Sequence, residues 1–588
     1  MIFFCKIVKP VSKVFLASSL LLFLSLNAIS QVIVTGEEAS SFYEAVPDDF
    51  RKQIEIAIPE KASAIPLKPR KLLVINRHVH NGKVVAGHGS IPYANYAIKL
   101  MGEKTGAFQA YFSKDTLAFQ SDVLDQFDAI CFNNTGGVLF EDKQLRRNLL
   151  EYVYSGKGFI GIHAAGATFV QYPVYDQFPE FGIMMGGYEN GGHPWMDHEW
   201  INIKVEEPSH PINQVLPYTN FDISDEVFQF SEPYTRDNLR ILLKIDTGRT
   251  DISEQRRILP ERRADMDLAL SWVRRYGRGR VYYSSFGDNY HIFWDIRILH
   301  HNMAGIQYAL GDLPAPATPS NKLTPAIEAR EQIDWKFGIS AYSFKDNTLF
   351  ETIDETALLG MLYMGGLNVQ KVSDQIDKNF DHNLDEKELY VIQQKFISAG
   401  VTLINYYIHD IPADEEECGK IFSFASRMGI EILISEPKPE ALDIIEKYCE
   451  KYNIKLAIHN HTKDISPAYW DPANVAEICK NRSPLIGACG DLGYWIRSGI
   501  DINKAIDILK GRIITLQVHD LDKLNEKGHD VTWGTGASGL DQFFRKLHQE
   551  GIKPLFIGLE YSYNWGSSLP DIRQSKAYFD RLSIQLSE

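Results

Sequence analysis

The sequence predicts an α/β chain built as two units, an open and mostly parallel sheet followed by a (β/α)8 barrel. Three observations carry this. Short apolar runs alternate with amphipathic stretches along most of the 588 residues. One break interrupts the alternation, "GDLPAPATPSNKLTPAIEAR" (311–330), where prolines strung among small residues mark a stiffened linker. Beyond the break, eight strand-like runs fall within about 250 residues, the count and size of a barrel.

The first residues predict export. Lys6, Lys9 and Lys13 surround the start of an apolar run, "VFLASSLLLFLSLNAIS", which ends on small residues at Ala28 and Ser30. This is the pattern of a secretory signal peptide at 1–30, and the run is too short for the ~20 apolar residues of a membrane span. The expected product is periplasmic or secreted and soluble after cleavage, with no lipid anchor and no membrane span.

Composition narrows the partners. The 44% hydrophobic and 23% charged content is ordinary globular material. Acidic residues outnumber basic ones by 76 to 61, giving a net charge of -15 without a basic cluster, which argues against nucleic acid. Beyond Cys5 the cysteines are Cys131, Cys418, Cys449, Cys479 and Cys489. Five is odd and none forms a CxxC pair, so they read as buried hydrophobes rather than a disulfide set. Nothing in the sequence sets an oligomeric state.

Upstream of the break the strand candidates are "KLLVINR" (71–77), "FDAICFNN" (127–134), "GFIGIHAA" (158–165), "LRILLKID" (239–246) and "GRVYYSSFG" (279–287). Amphipathic stretches such as "DKQLRRNLLEYVYSG" between them call for helices covering a mostly parallel sheet. Downstream the candidates are "FGISAYSF" (337–344), "LNVQKVS" (367–373), "VTLINYYI" (401–408), "EILISEP" (431–437), "KLAIHNH" (455–461), "LIGACGD" (485–491), "RIITLQVHD" (512–520) and "LFIGLEYS" (555–562).

Barrel chemistry sits at the C-terminal ends of the strands. There the fourth to eighth runs carry Glu436, His459 with His461, Asp491, His519 and Glu560. A single histidine ending a strand is ordinarily a hydrogen-bonded structural residue, and Glu436 alone could cap the next helix. Five successive strands ending in a carboxylate or imidazole are another matter, because such groups are costly in an apolar barrel unless paired or metal-bound. Mixed oxygen and nitrogen ligands without cysteine suit a divalent Mn, Zn, Co or Fe(II) ion. Glu436 and His461 are the candidates for proton transfer, and Trp470, Trp495 and Trp565 for stacking on a sugar ring.

The pieces "LAIHNH", "GACGDLGYWIRSG", "ITLQVHDLD", "GHDVTWGTG" and "FIGLEYSYNW" resemble the xylose-isomerase-like sugar isomerase/epimerase barrels over residues 335–588. The resemblance implies metal ligands at the ends of strands five to eight, here His459, Asp491, His519 and Glu560, with Glu560 also catalytic. It implies enediolate chemistry on a sugar: proton abstraction beside a carbonyl, leading to isomerisation or epimerisation. Trp495 and Arg497 fall in its substrate-contacting stretch. Two departures stand out. The fifth-strand residue is usually glutamate and is His459 here. Where relatives often read D-x-G-H-W, this chain has Tyr494.

Residues 68–312 resemble the trehalose-utilisation (ThuA-like) domain, a flavodoxin-like relative of class I glutamine amidotransferases. "FDAICFNNTGG", "GKGFIGIHAA", "GGHPW", "SDEVFQF" and "YGRGRVYYSSFGDN" carry the likeness. His163 stands where an amidotransferase has its nucleophilic cysteine, so that chemistry is not expected. His88, His163, Glu189, His193, Asp225, Glu226 and Asp288 follow strands at the edge where open sheets bind ligands. From these, His88, His163, His193 and Glu226 are the expected sugar contacts.

The expected chain is thus a signal peptide (1–30), a ThuA-like domain (68–312), a linker (313–334) and a barrel (335–588), acting on a small-molecule sugar. Two alternatives stay open: a metal-dependent 3-keto-glycoside lyase or hydratase using the same site, and a non-catalytic carbohydrate-binding protein.

Overall fold

The computed structural model describes residues 33–171, 177–190, 192–216 and 219–588. The expected signal peptide at 1–30 lies outside the described residues. Among them, no helix is long and apolar enough to cross a membrane.

Nine strands form the first sheet: β1 (Lys71–Ile75), β2 (Gln109–Ser113), β3 (Ala129–Asn133), β4 (Gly158–Ile162), β5 (Trp200–Val205), β6 (Asn220–Ser224), β7 (Arg240–Ile245), β8 (Ala269–Tyr276) and β9 (Gly279–Ser284). Their order is β2-β1-β3-β4-β9-β8-β7-β5-β6. The strands from β2 to β9 along this order pair in parallel. Every residue of β3 and β4 is buried, as a parallel sheet covered on both faces requires. The remaining pairings are antiparallel, which corrects the expectation of a mostly parallel sheet. The switch happens at a two-residue turn, Gly277–Arg278, where Gly277 supplies φ 58° and folds β8 straight back onto β9.

The barrel strands are β10 (Phe337–Ile339), β11 (Tyr363–Leu367), β12 (Thr402–Tyr407), β13 (Ile432–Ser435), β14 (Lys455–Ile458), β15 (Ile486–Asp491), β16 (Ile513–Val518) and β17 (Phe556–Leu559). They are parallel and close on themselves through β10 and β17. Ile404, Ile432, Ile434, Ala457, Cys489, Ile514 and Phe556 form one buried cluster contributed by the strands. A larger apolar cluster binds the helices to the strands. One strand sits earlier than expected. "LNVQKVS" is not the second strand; "YMGGL" is. Its glycines conceal it, yet a Cβ on Gly365 would lie 2.3 Å from Asn405 Oδ1, so close approach to β12 demands the missing side chain. Within the expected linker, Pro325–Ile333 form a helix held to the C-terminal helix Leu569–Ser587 by Arg330 and Asp580, 2.6 Å apart.

His301 shows how tightly the first sheet is covered. It is fully buried on the helix Ile296–Leu310, with Nε2 2.9 Å from Ser271 Oγ. Burial, reinforced by His210, pushes its imidazole down to about 3. The unfolded chain, titrating near pH ~6.5, therefore takes up this proton first. The contribution is fully present above ~6.5 and is lost as pH falls toward the folded value, by about 1.4 kcal/mol per pH unit. Urea unfolding from pH 7 to 4 should accordingly lose part of its pH slope in His301→Gln; an unchanged slope would show that the ring is not buried neutral.

Candidate active site

Each barrel strand from β13 to β17 delivers one titratable residue to the mouth. Asp491 is the last residue of β15, and Glu436, His459, His519 and Glu560 each follow immediately after their strands. Three of them stay in register through backbone bonds: Glu436 N–H to His409 O (2.8 Å), His459 N–H to Ser435 O (3.0 Å) and Glu560 N–H to Val518 O (3.0 Å).

Because β14 ends at Ile458, strand pleating does not align His459 with His461. Glu436 does. Its Oε1 accepts from His459 Nδ1 at 3.0 Å and also from His461 Nδ1. The two rings meet edge to face, 4.6 Å apart. Burial opposes ionisation of Glu436, but its two imidazole partners prevail and hold it well below the usual carboxylate range. A carboxylate shared by two N–H donors is a strong orienting group, so Glu436 holds both imidazoles in place beside its expected part in proton transfer.

Asp491, His519 and Glu560 converge beside this pair. They are buried, and each offers a ligand atom within 4.8 Å of the others. His519 Nε2 lies 3.3 Å from Asp491 Oδ2 and 3.8 Å from Glu560 Oε1, and His459 Nε2 is 3.6 Å from the same Asp491 oxygen. Yet Asp491 Oδ2, His519 Nε2 and Glu560 Oε2 have no hydrogen-bond partner. A buried cluster of two carboxylates and an imidazole with unpartnered polar atoms fits a cation, since each such atom would otherwise carry a desolvation penalty of about 1–3 kcal/mol.

The surroundings fix these groups. His519 Nδ1 is 3.0 Å from Asp530 Oδ1, and Ser562 N–H holds the other Asp530 oxygen at 2.6 Å. A carboxylate behind an imidazole sets its tautomer and raises its basicity. Asp491 Oδ1 caps the helix Leu492–Arg497 through Tyr494 N–H (2.8 Å). Asn460 grips Asp491's backbone on both sides, at 2.9 and 3.1 Å. A Cβ on Gly493 would lie 2.9 Å from His519 Cγ, so only glycine lets this helix start against the ring.

The charge balance follows. Burial would lower the His459 imidazole, but the Asp491 and Glu436 carboxylates overcome it and raise it to about 10. His519 rises well above its ordinary value for the same reason, with Asp530 and Asp491 outweighing burial. Burial opposes ionisation of Asp491, yet His519 and His459 hold it well below the usual range. Glu560 moves the other way: burial, opposed by His519 and aided by Asp491, lifts it to about 7.

Trp495 is corrected. It is 1% exposed and packed inside the barrel core, so no ring face is available to a sugar. Trp470 and Trp565 are half-buried, Trp470 under Lys463 and Trp565 against Tyr342 and Lys345. The aromatic walls beside the histidines are instead Tyr407, 5.5 Å from His459, and Tyr494, 4.5 Å from His461. Arg497 lies against this wall, its guanidinium over Tyr494 and 3.5 Å from Asp530. Asp530, Asn460 and Tyr407 escaped the sequence reading. Asp530 lies within the quoted "GHDVTWGTG", but no spacing rule ties a loop residue to a histidine eleven positions earlier.

In the first sheet, His88, His163, Glu226 and Asp288 also bring ligand atoms within 4.8 Å of one another. His193 Nδ1 is 3.3 Å from Glu226 Oε1. Asp225 does not join them; its carboxylate anchors the β9 loop through Gly287 and Asn289 N–H, at 2.7 and 2.8 Å. Glu189 accepts from Gly192 N–H at 3.1 Å.

Comparison with known proteins adds two family matches. Residues 73–309 match the model described as trehalose utilisation (ThuA), and residues 439–582 match the xylose isomerase-like TIM barrel. No curated protein matches. Among solved structures, an uncharacterised protein from Parabacteroides distasonis is 33% identical, with 42% of this chain and 98% of that chain covered and a TM-score of 0.35. A ThuA-like protein from Bacteroides uniformis is 18% identical, with 42% and 93% covered and a TM-score of 0.33. A D-tagatose 3-epimerase-like protein is 17% identical, with 42% and 96% covered and a TM-score of 0.34.

Glu436→Ala should leave the Nδ1–H of both His459 and His461 without their acceptor. The expected cost is about 1–3 kcal/mol, read as a lower urea midpoint at unchanged m-value. A midpoint equal to wild type would rule out the shared acceptor.

Proposed function

From a chain whose residues 73–309 belong to the ThuA family and whose residues 439–582 belong to the xylose isomerase-like TIM barrels, we propose a metal-dependent sugar isomerase or epimerase. The single observation behind this is the convergence of Asp491, His519 and Glu560 at the barrel mouth, each offering a ligand atom within 4.8 Å of the others, with Asp491 Oδ2 and His519 Nε2 left without a hydrogen bond.

Asp491, His519 and Glu560 would hold a divalent Mn, Zn, Co or Fe(II) ion, with His459 Nε2 as the fourth ligand. Once bound, the ion supplies Lewis-acid stabilisation to the oxygens of a keto-sugar. The chain's own residues do the rest. Glu436 fixes both imidazoles through their Nδ1–H groups, which leaves Nε2 of each for the cavity. His461 takes the α-proton from one face of the sugar. Glu560 exchanges a proton on the other. Return of the proton to the same carbon epimerises, and return to its neighbour isomerises. Tyr407, Tyr494 and Arg497 line the substrate side. His88, His163, His193 and Glu226 would contact a related sugar in the first sheet. The basic and apolar N-terminus supports export to the periplasm or beyond.

Asp491→Ala and His519→Ala should each lose one equivalent of bound metal relative to wild type, with far-UV circular dichroism intact. His461→Ala should keep the metal and slow deuterium exchange into a candidate keto-sugar about 100- to 10,000-fold, the range of a general acid–base. Wild-type protein that holds metal but releases a β-substituent without exchanging carbon-bound hydrogen would replace isomerisation with elimination. Wild-type protein that takes up no metal would overturn the reading.

A further inference from the structure

We propose that the first sheet carries a second divalent-cation site, formed by His163, His88, Asp288 and Glu226. It deepens the reading of this edge as a sugar-contacting pocket and stands independently of the barrel site.

His163 is the first residue after β4 and is held at φ 46°, a left-handed conformation unusual for any side chain but glycine. Two bonds keep it there. Tyr283 Oη donates to His163 O at 2.8 Å, and His163 Nδ1–H donates to Ser285 O at 2.8 Å. The second bond fixes the tautomer and leaves the Nε2 lone pair pointing inward. The ring is 0% exposed and Nε2 has no hydrogen-bond partner. An unpartnered, fully buried imidazole nitrogen at a strained turn is hard to explain as packing alone.

That nitrogen faces Asp288 Oδ1 at 3.9 Å, and His88 Nε2 lies 3.9 Å from the same oxygen. Neither separation is a hydrogen bond. Both come within several tenths of an ångström of the edge, about 3.0–3.5 Å, between two ligands that share an ion at about 2.1 Å. Glu226 completes the group within 4.8 Å. His193 Nδ1, also without a hydrogen bond, waits 3.3 Å behind Glu226. Phe228 backs the cluster, stacked on His163 at 4.5 Å and lying 5.1 Å from His193. Two imidazoles with two carboxylates select Zn, Mn, Co or Fe(II) over Mg or Ca. A cation there would take the vicinal hydroxyl or carbonyl oxygens of a sugar as its remaining ligands.

The test uses full-length protein carrying His519→Ala and Glu560→Gln, which removes ligands of the barrel site. Equilibrium dialysis against Co(II) should give one bound equivalent and a visible d–d absorption band. Adding His163→Gln should weaken that binding at least tenfold, and Asp288→Asn provides a second variant should His163→Gln fail to fold by circular dichroism. No bound Co(II) in the barrel-deficient protein, with one equivalent in wild type, would overturn the second site and leave the barrel reading standing. One equivalent that survives both His163→Gln and Asp288→Asn would overturn it as well. One equivalent in wild type and in the barrel-deficient protein alike, lost with His163→Gln, would uphold the second site and count against the barrel as a metal centre.

Discussion

Ionisable groups taken out of water must find a partner, and the barrel mouth gathers five of them. Removing one member of a buried ionic pair typically costs about 3–5 kcal/mol. Much of the local architecture can be understood as meeting that demand. Asp530 stands behind His519 at 3.0 Å, Asn460 clamps the backbone of Asp491, and Tyr494 N–H takes the second Asp491 oxygen. Gly493 has no side chain because the His519 ring fills that space. After all these partners are counted, one atom on each of Asp491, His519 and Glu560 is still open.

The histidine that replaces the usual fifth-strand glutamate is not an isolated change. His459 is neutral or cationic where a glutamate would be anionic. Glu436, one strand earlier, sets a carboxylate 3.0 Å from its ring. The same oxygen also takes His461 Nδ1. One carboxylate thus orients two imidazoles.

The sequence revealed the alternation of strands and helices and the residues that end β13 to β17, because both follow from local pattern. It failed where distant chain segments decide. The strand "YMGGL" was hidden because Gly365 answers to Asn405, forty residues away, and Gly366 to Leu403 and Phe380. The antiparallel half of the sheet was hidden because Arg274 and Arg275 make β8 look like a surface stretch, whereas only the β9 hairpin makes it a strand. Trp495 looked like a sugar platform next to Asp491, but a capped helix turns it inward, its ring lying where a Cβ on Gly490 would be 2.4 Å away. Two residues apart at a strand end, His459 and His461 are brought together by a shared acceptor, Glu436, from the preceding strand. Side-chain identity at strand ends is legible locally; the oxygen that each nitrogen faces is not.

The two candidate sites share a device that neither fold explains alone. His163 follows β4 and His519 follows β16, each directly after its strand. In both, Nδ1 is tied to an oxygen, Ser285 O at 2.8 Å or Asp530 Oδ1 at 3.0 Å, and Nε2 is left without a hydrogen bond facing a carboxylate. The oxygens differ in charge, and the rings respond accordingly. Burial, with no anion behind the ring, pushes His163 well below its ordinary value, whereas Asp530 and Asp491 outweigh burial and raise His519 well above it. A carboxylate behind an imidazole strengthens its donor nitrogen; a carbonyl only aims it.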